Sequence, residues 1–102
     1  MDDKRPSEDH DLALDPSRRF ALRTSGIVWK VVEDEIVILD MEASVYASVN
    51  ATGRALWLRL VDGASLDELV TELVEAFDID ADQARADSAS FIRTLSSQGL
   101  LQ

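Results

Sequence analysis

The 102-residue chain predicts an α+β domain: a three-stranded antiparallel sheet followed by three helices. Three observations carry this. Two runs rich in β-branched residues, Ile27 to Glu33 and Glu35 to Met41, are parted by a single acidic corner at Asp34, the pattern of a tight hairpin. A third run, Val45 to Val49, ends on Asn50, a residue suited to open a helix. Two further capping signals, Ser65 with Glu68 and Asp80 with Gln83, each stand before a segment of helical periodicity.

Residues 1 to about 19 hold both prolines, Pro6 and Pro16, many charges and no periodic apolar pattern, so a mobile acidic tail is expected, with the folded domain over 20–102. Phe20 and Leu22 are candidate anchors at the start of that domain. In the first strand Ile27, Trp29 and Val31 share one face and Val28, Lys30 and Val32 the other, so both faces are expected to be at least partly covered. After a break at Glu42, Ala43 and Ser44, the third strand places Val45, Ala47 and Val49 on one face and Tyr46 and Ser48 on the other, at one edge of the sheet.

The first helix is expected from about Ala51 to Val61, with Leu56, Trp57, Leu60 and Val61 buried and Asp62-Gly63 ending it. Gly53 reads either as a site of close backbone packing or as ordinary tolerance of glycine in a first turn. In the second helix Leu66, Leu69, Val70, Leu73, Val74 and Phe77 form one face. The third runs from about Ala81 to Ser97 and stops at Gly99, with Leu100 and Leu101 tucking back beneath. Its small residues, Ala84, Ser88 and Ala89, predict a shallow trough.

The inventory weighs against an enzyme. There is no Cys, and the single His, His10, lies in the tail, which leaves no ordinary acid–base or nucleophilic pair. Asp40 lies inside a strand, where pairing with an Arg or ending a ladder is the expected role. No clustered His and no calcium-loop pattern suggests a metal or cofactor. Fourteen of the twenty acidic residues, but only five of the ten basic ones, follow Ser25, so that part carries −9 of the net −10. Such a surface repels phosphate backbones, and the third helix opens with three carboxylates in DADQARAD, unlike a base-reading helix. No apolar run approaches the roughly 20 residues of a membrane helix, and the polar first residues are unlike a signal peptide. A cytoplasmic protein binding neither nucleic acid nor membrane is expected.

An unprotected strand edge remains. Val45 to Val49 has no Lys, Pro or other residue that blunts edges, and such an edge suits an added peptide strand. The alternative is that the edge is covered by the N-terminal segment or by a second copy, giving a homodimer.

In order along the chain, Leu39-Asp40, Val45-Tyr46, Val49-Asn50, Ala51-Thr52-Gly53, Asp62-Gly63, the Ser65 to Glu68 box, Phe77-Asp78-Ile79 and Gly99-Leu100-Leu101 resemble the PqqD superfamily. Within it the likeness is to the stand-alone leader-binding proteins of lasso-peptide gene clusters. Ser44 departs from the pattern, where many members have Gly. The resemblance implies a RiPP recognition element with a winged-helix-like arrangement. Such a protein binds the leader of a ribosomally made precursor peptide and presents it to a maturation enzyme, either a leader peptidase or a radical-SAM enzyme. It also implies the binding residues: Val45, Tyr46, Ala47, Ser48 and Val49 on the strand, and Arg85, Ala89, Ile92 and Arg93 facing the groove from the third helix. Ala84, Ser88, Phe91 and Leu95 are then turned to the core.

Overall fold

A computed structural model describes residues 18–102; the expected tail, with His10 and both prolines, lies outside it as far as residue 17. Strand β1 (Arg19–Phe20) already pairs with β5 (Ala64–Ser65), so Arg19 is in a strand. Strands β2 (Ile27–Val32), β3 (Glu35–Asp40) and β4 (Val45–Val49) form the antiparallel meander in the order β2-β3-β4. Helices α1 (Ala51–Val61), α2 (Leu66–Phe77) and α3 (Ala81–Ser97) follow, as expected.

The helix starts follow from the caps. Asn50 accepts a hydrogen bond from the Gly53 N–H at 2.9 Å. Ser65 and Glu68 complete a reciprocal capping box, with bonds of 3.2 and 3.0 Å. Asp80 accepts from Gln83 N at 2.8 Å, although the Gln83 side chain turns to Asp87 instead of reaching back. Each satisfies an N–H that the first helical turn leaves unpaired.

All three helices lie on one side of the sheet. The inner face of β3 supplies Ile36 and Ile38, both fully buried, and α1 lays Leu56, Trp57 and Leu60 over it. Trp29 of β2 meets Trp57 edge to face, with ring centroids 6.0 Å apart, an arrangement aromatic rings prefer. Phe20 and Leu22 are buried as anchors, and Arg23 N donates to Leu100 O at 2.8 Å, tying the first described residues to the chain's end.

Three expectations fail. The outer sheet face is not covered by any described element: Val28, Val32, Leu39 and Tyr46 are all exposed, because every helix follows the sheet and packs on the same side. Val61 and Phe77 are also exposed, one at the end of α1 and the other at the end of α2. Finally, Ala84 and Ser88 leave no trough; they are fully buried, and their small size suits close helix packing, while Ala89, also buried, borders only a depression away from β4.

Ser44, in the turn before β4, takes φ 57°, the left-handed conformation that favours glycine. Ser44→Gly relieves roughly 1 kcal/mol of steric cost, partly offset by a freer unfolded chain. A rise of about 2–4 °C in the thermal midpoint is expected, with no loss of fold.

Candidate functional site

The sheet has two edge strands, β2 and β4; at β4, the edge beside α1 and α3, the register decides which backbone groups are free. Met41 N donates to Gly26 O at 2.8 Å, and the β2–β3 register continues that pair through Val28↔Leu39 and Lys30↔Val37. Peptide groups alternate sides along a strand, so Leu39 and Val37 bond toward β2 while Asp40, Ile38 and Ile36 bond toward β4. Their partners there are Val45, Ala47 and Val49. The N–H and C=O of Tyr46 and Ser48 therefore point away from the sheet, to the free edge. The side chains divide the other way. Val45, Ala47 and Val49 face inward, and Tyr46, 69% exposed, stands on the outer face.

Two depressions lie on the inner side of β4. The larger, of about 430 Å³, is walled by Ser48 and Val49 of β4, by Thr52, Gly53 and Leu56 of α1, and by Asp87, Ser90, Phe91 and Thr94 of α3. A smaller one of about 120 Å³ is lined by Ile38, Asp40, Val45, Ala47, Gln98 and Leu100. The smaller is predominantly apolar, whereas the larger mixes Val49, Leu56 and Phe91 with polar side chains, Asp87 being the only charged one among them.

Gly53 settles its two readings. A Cβ there would stand 2.9 Å from Val49 Cβ and 3.1 Å from Phe91 Cε1. The absence of a side chain is what lets the start of α1 sit against β4 and Phe91.

The turn leading into β4 is held by Asp40, which is nearly buried. Its Oδ1 accepts from Glu42 N at 3.1 Å, Ala43 N at 3.2 Å and Arg23 Nη2 at 2.7 Å. Arg23 also donates to Gly99 O at 2.8 Å. The expected Arg partner is thus present, and the role is structural. The Ala43 backbone bond, aided by Arg23, holds the Asp40 carboxyl below its ordinary 3.8 against the opposing effect of burial. Glu68 is lowered likewise, first by the Ser65 N–H and then by Arg19 and Arg59. A carboxylate with a depressed folded pKa contributes stability that is complete above its unfolded value and is lost as pH falls through the folded one. Asp40→Asn, which keeps an acceptor for Ala43 but loses the charge facing Arg23, is expected to flatten the fall of the thermal midpoint below about pH 4. It also lowers the midpoint at pH 7.

The helix contribution differs from the expectation. Facing the β4 groove is the stripe Asp87, Ser90, Phe91 and Thr94, so Phe91 is a groove wall and not a core residue. Ile92 is 1% exposed and belongs to the core with Ala84, Ser88 and Leu95. Arg85, Ala89 and Arg93 line a separate depression with Leu66, Asp82 and Ala86. Arg85 pairs with Asp67 at 3.3 Å. The physical reason is the composition of α3, whose many Ala and Ser residues on all sides leave its rotation undetermined by hydrophobic pattern alone. The sequence signal that could have found the groove stripe is Phe91 itself, a large ring four residues from Asp87.

A family model described as coenzyme PQQ synthesis protein D (PqqD) matches residues 35–101. No curated protein matches the chain. Among solved structures, TbiB1 in complex with the TbiA(beta) leader peptide is similar at 25% identity and a TM-score of 0.71, covering 78% of this chain and 92% of that one. A lasso peptide synthetase B1 complexed with the leader peptide is similar at 25% identity and a TM-score of 0.72, covering 81% and 96%. No described helix is long and apolar enough to cross a membrane.

Proposed function

The chain belongs to the PqqD family, and from that premise we propose that it binds the leader segment of a ribosomally made precursor peptide as a fourth strand on β4 and presents it to a maturation enzyme. The observation that carries this reading is the free main-chain edge at Tyr46 and Ser48 beside a groove of mixed polarity, whose apolar part is Val49, Leu56 and Phe91. Two similar folds at 25% identity, each complexed with a leader peptide, support it.

In this reading the leader accepts from and donates to the Tyr46 and Ser48 backbone, and alternate leader side chains enter the depressions beside Val45, Ala47 and Val49. The groove wall on α3 is Ser90, Phe91 and Thr94, with Asp87 at the rim favouring a neutral or basic leader side chain over an acidic one. Arg85, Ala89 and Arg93 take no part in that contact, and Ile92 acts through the core. The protein performs no chemistry of its own. It works in the cytoplasm alongside a leader peptidase or a radical-SAM enzyme.

Titration of isotope-labelled protein with leader-half peptides of the adjacent precursor tests this. Amide shifts are expected to concentrate on Val45 to Val49 and on Asp87 to Thr94. No shift at β4, with its edge amides already protected from hydrogen exchange, would instead mean that the edge is closed by a second copy of the chain. The protein would then be a self-associating structural module.

A further inference from the structure

The meander's other edge is open as well. Among the described residues β2 pairs only with β3, and Gly26, Val28 and Lys30 supply the groups that bond toward β3. By the same alternation the N–H and C=O of Ile27, Trp29 and Val31 point outward, away from the sheet. The edge is apolar on both faces. Val28 is 52% exposed on the outer face and Val31 44% exposed on the inner one. Ile27 and Trp29 are only half-buried, because α1 packs on β3 and β4 and leaves the inner side of β2 partly open. Lys30 is the one residue of β2 that discourages edge pairing.

A strand that bares main-chain groups between two apolar faces is matched by another of the same kind, which buries both faces at once. Charge then selects the register. A two-fold axis centred on Lys30 would set two ammonium groups directly opposite each other. One centred on Val28 would leave Val31 against the second copy's Ser25, and one centred on Val31 would set Trp29 against the second copy's Glu33. Trp29 is the centre that avoids all three.

We propose that two copies of the chain pair antiparallel through β2 about a two-fold axis at Trp29. Trp29 then exchanges both main-chain bonds with its counterpart, and Ile27 and Val31 exchange theirs with the second copy's Val31 and Ile27. On the outer face Lys30 lies opposite the second copy's Val28, so no like charges are opposed. Self-complementarity of this kind is what a two-fold interface requires. The result is a six-stranded sheet in the order β4-β3-β2-β2-β3-β4, with the helices of both copies on one side. Both β4 edges stay open at its ends. The inference does not depend on the leader reading.

Sedimentation equilibrium of the full chain over a wide range of concentration is expected to show a monomer–dimer equilibrium. Where the dimer dominates, the amides of Ile27, Trp29 and Val31 should become protected from hydrogen exchange while those of Tyr46 and Ser48 stay unprotected. Val28→Glu places a carboxylate opposite Lys30 on each side of the axis and should tighten the dimer roughly three- to tenfold. Val28→Lys opposes ammonium groups there and should weaken it by a similar factor. The position is exposed, and an unchanged thermal midpoint in dilute solution checks that the monomer is intact. Val31→Pro removes an outward N–H and spares the β2–β3 bonds, so it should stay monomeric throughout. A wild-type chain that is monomeric at every concentration would overturn the inference. So would protection at Tyr46 and Ser48 in place of β2, or a dimer indifferent to the two Val28 substitutions. Leader peptide should bind twice per dimer without dissociating it. A dimer that takes up no leader would sink the leader reading alone, so either idea can fail without the other.

Discussion

A chain carrying Ser48→Pro is expected to fold normally and to lose leader binding by about tenfold or more. The Ser48 N–H points to the free edge, because Ala47 and Val49 are the residues that bond to Ile38 and Ile36 of β3. Proline on an edge strand with its missing N–H outward is tolerated, and the residue before it is held extended, as a strand requires. What disappears is a main-chain donor to the added strand, worth roughly 0.5–1.5 kcal/mol, together with the space its ring takes from the incoming peptide. Ala47→Pro has the opposite signature. Its N–H belongs to the β3–β4 ladder, so stability falls and binding is lost only as a consequence. Tyr46→Ala removes an outward-facing ring and leaves the backbone bonds intact, so a smaller weakening is expected. Calorimetric affinity measured beside the thermal midpoint separates these cases. Wild-type affinity in Ser48→Pro would mean that the leader does not pair with β4.

Phe91→Ala and Ile92→Ala, neighbours in sequence, are expected to diverge sharply. Ile92 is 1% exposed in the shared core, and truncation there costs about 2–4 kcal/mol of stability, lowering the thermal midpoint by roughly 10 °C or more. Its effect on the affinity of the folded fraction is small. Phe91 is half-buried and walls the groove beside Gly53 and Val49. Truncating it weakens leader binding by about 1–2 kcal/mol, or up to some thirtyfold, at a lesser cost in stability. Urea denaturation and leader titration on both variants check the contrast. The reverse pattern, affinity lost at Ile92 and stability lost at Phe91, would restore the helix rotation expected from the sequence.

Such contrasts show where reading residues alone stops. The three strands of the meander, the helices and the caps at Asn50, Ser65 and Asp80 were legible, because each depends on the local chemistry of a few adjacent residues, whereas the β1–β5 pair, joining segments distant in the chain, was not. The edge strand was legible too, since β4 lacks the residues that close an edge. The α3 face was not. A helix with Ala81, Ala84, Ala86 and Ala89 among Ser88, Ser90, Ser96 and Ser97 presents no single apolar stripe, and only packing against α2 and β4 fixes which side turns inward. The outer sheet face was misjudged for a related reason, since alternation of Val28 and Val32 shows that a face is apolar but not that anything covers it.

By itself the sequence determined the order and extent of the three meander strands and the three helices, the excess of acidic residues, and the resemblance that led to the family. The tertiary structure alone decided which groups meet. It placed Tyr46 and Ser48 backbone at the free edge through a register set by the β2–β3 and β3–β4 pairings. It tied Asp40 to Arg23 and brought Gly53, Val49 and Phe91 together from three elements. Local preference is a property of neighbouring residues, whereas strand register and helix rotation minimise the energy of the whole core.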